Sequence, residues 1–254
     1  MNGYSIGTEL KYKVFDANND YKFMDVLNGS FSGGEVFFSY EFSKLSGSGT
    51  DDDITNGDES LMAFSVQKAK GNSHDIRVGT NLDLGEYNNI TPSIRFGGFY
   101  KKLKFDMNGG KSLQHYDSNP TLTEFSGLGQ RTNSVFTGTI IGGQISHKSE
   151  GSENVLIVDF YPAVQYTGNQ HWPHRNLHWK LKSATPGMGL KVALEHHFKV
   201  SEQNLKIFSS YESIKINKLN ESGPNYSVKG GSSDSSVNGE TLFNSLNMGI
   251  GLYF

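Results

Sequence analysis

From Leu246 to Phe254 the chain alternates without a break. Leu246, Met248, Ile250, Leu252 and Phe254 are apolar; Asn247, Gly249, Gly251 and Tyr253 are small or polar. Strand side chains point to opposite faces with a period of two, so this segment reads as a strand with one greasy face. The pattern recurs. Tyr4, Ile6, Leu10, Tyr12 and Val14 alternate with Ser5, Gly7, Glu9, Lys11 and Lys13. Ile76, Val78, Leu82 and Leu84 alternate with Arg77, Gly79, Asn81 and Asp83, and Leu190, Val192, Leu194 and Phe198 with Lys191, Ala193, Glu195 and His197. A water-soluble sheet also alternates. Length separates the two cases: these runs cover about nine to eleven residues, enough for a tilted strand to cross a bilayer, against a usual five or six.

Composition is consistent with this and excludes other classes. No run approaches the ~18 apolar residues of a membrane helix. A mean hydropathy of -0.49 fits a barrel that hides its lipid face in every second residue. The 254 residues include no Cys, which excludes disulfide scaffolds and thiolate metal sites and suits passage through an oxidising compartment. A net charge of -3 gives no case for nucleic acid. Met1 to Tyr4 run straight into a strand, so an exported form is expected to be the mature chain with an added Met.

Further candidate strands lie at 21–31, 35–46, 92–106, 133–147, 154–168 and 204–217, making about ten, an even number as bacterial barrels prefer. Short turns are expected at Ser32–Gly34, Glu86–Asn89, Lys148–Glu153 and Ser201–Gln203. Long polar loops are expected at 47–60, 107–131, 169–178 and 218–240, the last a mobile Ser/Gly/Asn-rich stretch. The fold class is therefore all-β: a transmembrane antiparallel up-and-down barrel of about ten strands with long loops at one end and short turns at the other. No linker interrupts it, so residues 1–254 form one domain. Glu9, Lys11, Arg77, Asp83, Lys191 and Glu195 are expected to face the lumen and pair there, because a charge facing lipid is costly.

Several strings resemble the omptins, ten-stranded outer-membrane endopeptidases. Gly97-Gly98-Phe99-Tyr100 through Phe105-Asp106-Met107-Asn108-Gly109-Gly110 resembles the omptin strand that ends in a Gly-Gly pair. Asp58-Glu59-Ser60 resembles the Asp-Glu-Ser of the second outer loop, and Leu177 to Asn220 the eighth and ninth strands. The closing aromatic, Phe254, is similar to the signal read by the outer-membrane assembly machinery. The resemblance implies a monomeric barrel in the bacterial outer membrane with its loops facing the exterior. It also implies a water activated between an Asp pair on one loop and an Asp-His couple on the opposite loop.

Asp51 and Asp53 match the family's Asp-x-Asp spacing, and His171 is the best counterpart of its His. Two close carboxylates can share a proton, and His passes protons near neutral pH. Where the family has Asp-x-His, this chain has Asn169-Gln170-His171. Asn hydrogen-bonds but supplies no charge. His174 and His178 are alternative counterparts, and Leu61-Met62 replace the His that follows the Asp-Glu-Ser string. Asp51-Asp52-Asp53 also reads as a solvated acidic turn, and it matches no defined calcium loop. The three His of 171–178 have no regular metal spacing; no metal or organic cofactor is expected. Lys101, Lys102 and Lys104, with Arg131 and Arg175, suit the lipopolysaccharide phosphates that omptins hold on the barrel exterior, as an activating lipid; ordinary snorkelling is the plainer reading. Tyr4, Tyr12, Tyr40, Trp172, Trp179 and Tyr253 are candidates for interfacial girdles.

Three functions follow. The first is an omptin-like, water-activating endopeptidase using Asp51, Asp53 and His171 with Asn169. The second is a non-catalytic adhesin or receptor with a degenerate site, bound to a peptide or a host surface protein. The third, a passive channel, is disfavoured because small barrels fill their interiors with side chains.

Overall fold

Every alternating segment of the sequence becomes a strand of one sheet. The computed structural model describes residues 2–16, 31–54, 61–114, 121–173, 177–225, 231–237 and 241–253. Its strands are β1 (Asn2–Asp16), β2 (Gly33–Ile54), β3 (Leu61–Asp83), β4 (Ile90–Gln114), β5 (Thr121–Ser149) and β6 (Ser152–Trp172). They continue as β7 (Leu177–Ser183), β8 (Gly187–Val200), β9 (Gln203–Ile216), β10 (Leu219–Asn225), β11 (Gly231–Val237) and β12 (Thr241–Tyr253).

β1 to β6 pair in sequence order, β6 pairs with β8, β8 with β9, β9 with β12, and β12 with β1. The sheet closes on itself, so the backbone groups within the ring find partners, as a hydrocarbon environment demands. β7, β10 and β11 prolong β8, β9 and β12 beyond the ring and pair in the order β6-β7-β10-β11. Among the described residues the ring has nine strands, and since antiparallel neighbours alternate in direction, such a ring must contain a parallel pair. That seam is β1–β12, from Ser5 opposite Gly249 to Glu9 opposite Tyr253. The expected barrel is present; its parallel seam is not visible in the alternation. The candidate strand at 21–31, apart from Phe31, lies outside the described residues.

The two ends differ as the sequence implies. One end carries tight turns at Leu84–Asn89, Glu150-Gly151 and Ser201-Glu202. At the other, the stretches expected as loops are largely continuations of the strands. β2 and β3 stay paired out to Ile54 opposite Leu61, and β4 and β5 out to Gln114 opposite Thr121. β4 and β5 have 25 and 29 residues, far beyond the ~10 that a bilayer requires. Even the Ser/Gly/Asn-rich stretch forms a pair, Leu219 opposite Val237 to Asn225 opposite Gly231. Water wets both faces of such hairpins, so they need no apolar alternation, and the sequence signal disappears while the hydrogen-bond ladder persists.

Inside the ring each strand presents an apolar row outward: Ile6 and Leu10 on β1, Val36 and Phe38 on β2, Phe96 and Tyr100 on β4, Leu156, Val158 and Phe160 on β6, Leu190 and Leu194 on β8. On β12, Leu246, Met248 and Ile250 are 67%, 64% and 52% exposed; Phe254 lies outside the described residues. Tyr4 and Tyr12 stand in this outer surface as expected for a girdle, whereas Tyr253 turns inward and packs on His197, ring centroids 4.6 Å apart. Trp179 lies against Gly223, where any Cβ would meet its ring.

Ile250→Arg is expected to destabilise the barrel by about 2–4 kcal/mol where Ile250 lies near the bilayer midplane. Equilibrium unfolding from phospholipid vesicles measures this. An unchanged midpoint would mean that Ile250 does not meet hydrocarbon.

Candidate functional site

The lumen is filled, and charge fills most of it. Arg77 on β3 donates to Asp75 Oδ2 at 2.8 Å, to Glu212 Oε1 at 2.6 Å and to the Tyr161 hydroxyl. The Tyr161 hydroxyl itself donates to Glu212 Oε1 at 2.8 Å, and Lys101 Nζ bonds Glu212 and lies 3.1 Å from Asp75. Toward the short turns, Arg95 bonds Asp159 at 3.0 Å, Asn81 at 3.0 Å and Gln144 at 2.9 Å. A third group joins Lys206 to Glu9 at 2.6 Å and to Glu195 at 3.2 Å, with His197 Nε2 2.8 Å from Glu195. The ligand atoms of Glu9, Glu195 and His197 lie within 4.8 Å of one another, but the Lys206 ammonium already occupies the cation position between the two carboxylates.

Above these layers, toward the long hairpins, the interior becomes apolar. Phe99, Leu103, Phe136, Ile140, Tyr161 and Val164 form its buried cluster. Glycines make the close packing possible. A Cβ at Gly189 would meet the Tyr161 ring at 2.6 Å, and one at Gly138 the Phe99 ring at 2.7 Å. Among the charged layers a cavity lined by Glu41, Asp75, Arg77, Arg95, Asp159 and Lys191 measures about 50 Å³, and another beside Lys101, Leu103 and Phe243 about 60 Å³, each space for a few waters. The lumen charges expected from sequence are therefore there. Glu9, Arg77 and Glu195 are paired; Lys11 lies 3.7 Å from Glu35; Asp83 accepts from Ser93 at 2.6 Å; Lys191 lines the first cavity. Tyr161 and Glu212, the hub of the network, were missed, because one lies at an irregular point of its strand and the other in a strand with few charges to mark its inner face.

At the mouth the structure gives the strand positions of the expected residues. Asp51 and Asp53 occupy the far end of β2, opposite Ser65 and Ala63; their side chains, like Asp58, Glu59, Ser60, His174 and Arg175, lie outside what the structure describes. Asn169 and His171 are on β6, opposite Asn133 and Arg131 of β5. From Val155 to Tyr161 the odd-numbered residues of β6 face inward. The β6–β8 register then slips between Tyr161 and Val164. Pro162 lies in that slip; it has no N–H for the ladder, and a bulge absorbs the extra residue. Beyond it the even-numbered Val164, Tyr166 and Gly168 are buried and Gln165, Thr167 and Asn169 are exposed. The bulge thus turns Asn169 and His171 to the outer wall. The sequence alternation alone sets His171, with Asn169, across the mouth; the alternation beyond the bulge sets both on the outer face.

On that wall His171 stacks on its cross-strand partner His178, ring centroids 4.0 Å apart and planes 6° apart. Arg131 flanks His171 and is held by Asp106 through contacts of 2.7 and 3.1 Å. The Arg131 hydrogen bonds hold the Asp106 carboxyl below its ordinary value. Lost hydration, then His178 and Arg131, lower the affinity of His171 for a proton. The lysines also separate by face. Lys101 is buried in the lumen, so the expected ladder loses one member; Lys102 and Lys104 remain outside, with Lys44 and Lys70 on the neighbouring strands. These four stand just beyond the outward Tyr40, Ile76 and Tyr100.

No family model matches the sequence, and no curated protein matches it. Among solved structures, the chain is similar to the crystal structure of the outer membrane protease OmpT from Escherichia coli. The match covers 95% of this chain and 90% of that one, with a TM-score of 0.68 and 14% sequence identity. What is shared at that identity is the omptin-like barrel fold.

Arg77→Met would leave Asp75 and Glu212 short of their main counter-charge. Removing one partner of a buried pair costs about 3–5 kcal/mol, and unfolding from vesicles should show a loss of that order. A loss below about 1 kcal/mol would mean that water, not the ion pair, solvates these carboxylates.

Proposed function

We propose that the protein is a surface barrel of the bacterial outer membrane. Its lumen is plugged, its long hairpins face the exterior as a binding surface for a peptide or a surface protein, and it does not hydrolyse peptides through His171. The observation that carries this reading is the outward orientation of His171 and Asn169 beyond the β6 bulge. A general base must come within hydrogen-bond reach of the attacking water, directly or through one water. An imidazole stacked on the outer wall, on His178, is turned away from the mouth. Asn169 adds nothing to offset this, since it supplies no charge. The packed lumen, whose cavities among the described residues include two of about 50 and 60 Å³, also speaks against a passive channel.

Membrane insertion is supported by the apolar row on the ring strands and by the length of the strands. Lys44, Lys70, Lys102 and Lys104 are suited to lipopolysaccharide phosphates, because they gather immediately outside the aromatic edge of the apolar band. In this reading lipopolysaccharide is a boundary lipid and not a cofactor of hydrolysis. The chain acts as a monomer, its ring being complete without a second copy.

The test is a peptide library with basic sites, presented to purified protein reconstituted with lipopolysaccharide. No cleavage is expected from the parent. Cleavage that falls about a hundredfold or more in both Asp53→Asn and His171→Ala, the scale of an acid-base group, would overturn the proposal in favour of the endopeptidase.

A further inference from the structure

The stacked histidines of the outer wall are not used by the function proposed above. His171 and His178 stand directly opposite each other on β6 and β7. Both strands are held in register by the Thr167–Trp172 ladder, so the two rings start from fixed backbone positions. The rings are stacked and nearly parallel, their planes 6° apart and their centroids 4.0 Å apart. Stacking gives neutral imidazoles only a small attraction, and no buried group requires them there. Two imidazole nitrogens bound to one ion at about 2.0–2.1 Å each are themselves roughly 3–4 Å apart. In the stack the nitrogen lone pairs run side by side in parallel planes, so both rings must turn out of it to share an ion; the directly opposed strand positions bring the two imidazoles close enough for that.

Among the described residues the cations near the pair are Arg131 on β5 and Lys180, two residues from His178 on the same exposed face of β7. The nearest guanidinium, Arg131, is neutralised by the two contacts to Asp106. After the outward Phe160 and the slip at Pro162, the outer face of β6 carries the exposed Gln165, Thr167 and Asn169, so the pair stands in water beyond the greasy band and an ion can reach it. We propose that His171 and His178 form a two-imidazole site on the barrel exterior for a borderline divalent transition-metal ion, copper above zinc, with water completing its coordination. Imidazole ligands suit copper and zinc, and affinity along the series peaks at copper.

The chain carries its own reporters. Its two tryptophans, Trp172 and Trp179, each adjoin one of the histidines in sequence. Copper(II) chloride is titrated into the full chain, folded in vesicles and free of any histidine tag, while tryptophan fluorescence is followed. Saturable quenching at about one ion per chain is expected, and zinc, whose closed d shell does not quench, should reverse it by competition. His171→Asn and His178→Asn should each weaken the copper midpoint by at least about tenfold, as the loss of a ligand requires. Both lie on a wetted face, and recovery of the parent far-ultraviolet spectrum verifies folding. His196→Asn, on the outer wall near the short turns, should leave the midpoint unchanged. Absence of saturable quenching would overturn the proposal. So would an unchanged midpoint in either the His171 or the His178 variant, which would move the ion elsewhere, for example to Glu9, Glu195 and His197.

Discussion

A backbone that enters hydrocarbon must satisfy every N–H and C=O from within, because lipid offers no partner. The architecture of this chain follows from that constraint. Strands comply only when the sheet has no edge, so the ring must close even if the last pair runs parallel. Here it does close, through the short ladder from Ser5–Gly249 to Glu9–Tyr253. Gly7, Gly249 and Gly251 line this seam, and their lack of side chains lets β1 and β12 approach beside the rings of the lumen. Beyond the lipid the constraint relaxes. β7, β10 and β11 extend as a separate wing of the sheet, and the hairpins need only their own ladders.

Closure creates the second problem, an interior that is neither lipid nor bulk water. The chain solves it by pairing. Arg77 is shared between Asp75, Glu212 and Tyr161, with Lys101 on the same two carboxylates, and Lys206 bridges Glu9 and Glu195, so each of these carboxylates contacts a cation. Such networks are poor stabilisers compared with an apolar core of the same volume, but they hold strands distant in sequence in one arrangement. The Arg77–Glu212 pair spans 135 residues and links opposite walls of the ring. Rings laid over glycines complete the plug. The molecule is consequently rigid and closed at the level of the membrane, and whatever it binds must bind at the hairpins or on the outer wall.

How much of this was legible in the sequence depends on whether a period of two survives locally. It survives in Tyr4–Val14, Leu190–Phe198 and Leu246–Leu252, and there both the strand and its facing are readable from residue types alone. Glu9, Arg77 and Glu195 follow, because a charge in an apolar alternation has only the lumen to face. Legibility fails where the period is absent or broken. The wetted hairpins beyond Gly47 and Met107 have no apolar face, so their ladders look like loops. At Pro162 the period slips by one, and the facing of everything beyond is inverted. An alternation carried through from Leu156 turns His171 inward; the bulge turns it out. The slip at Pro162 sets the face that His171 occupies, and sequence resemblance cannot register it, because the resemblance compares residue types and not the faces they occupy. The similarity to a protease barrel at 14% identity has the same limit.

The central claim is a closed membrane barrel whose outer face is the even-numbered side of β12. It is tested most directly by collisional accessibility along that strand. The absence of cysteine lets single Cys substitutions from Leu246 to Leu252 carry a nitroxide label without other changes. In reconstituted vesicles, Leu246, Met248, Ile250 and Leu252 should collide readily with oxygen, which partitions into lipid, and poorly with a water-soluble nickel chelate. Asn247, Gly249 and Gly251 should be shielded from the oxygen, giving a period of two. Accessibility to the nickel chelate at the even-numbered positions, or a profile without alternation, would contradict the account.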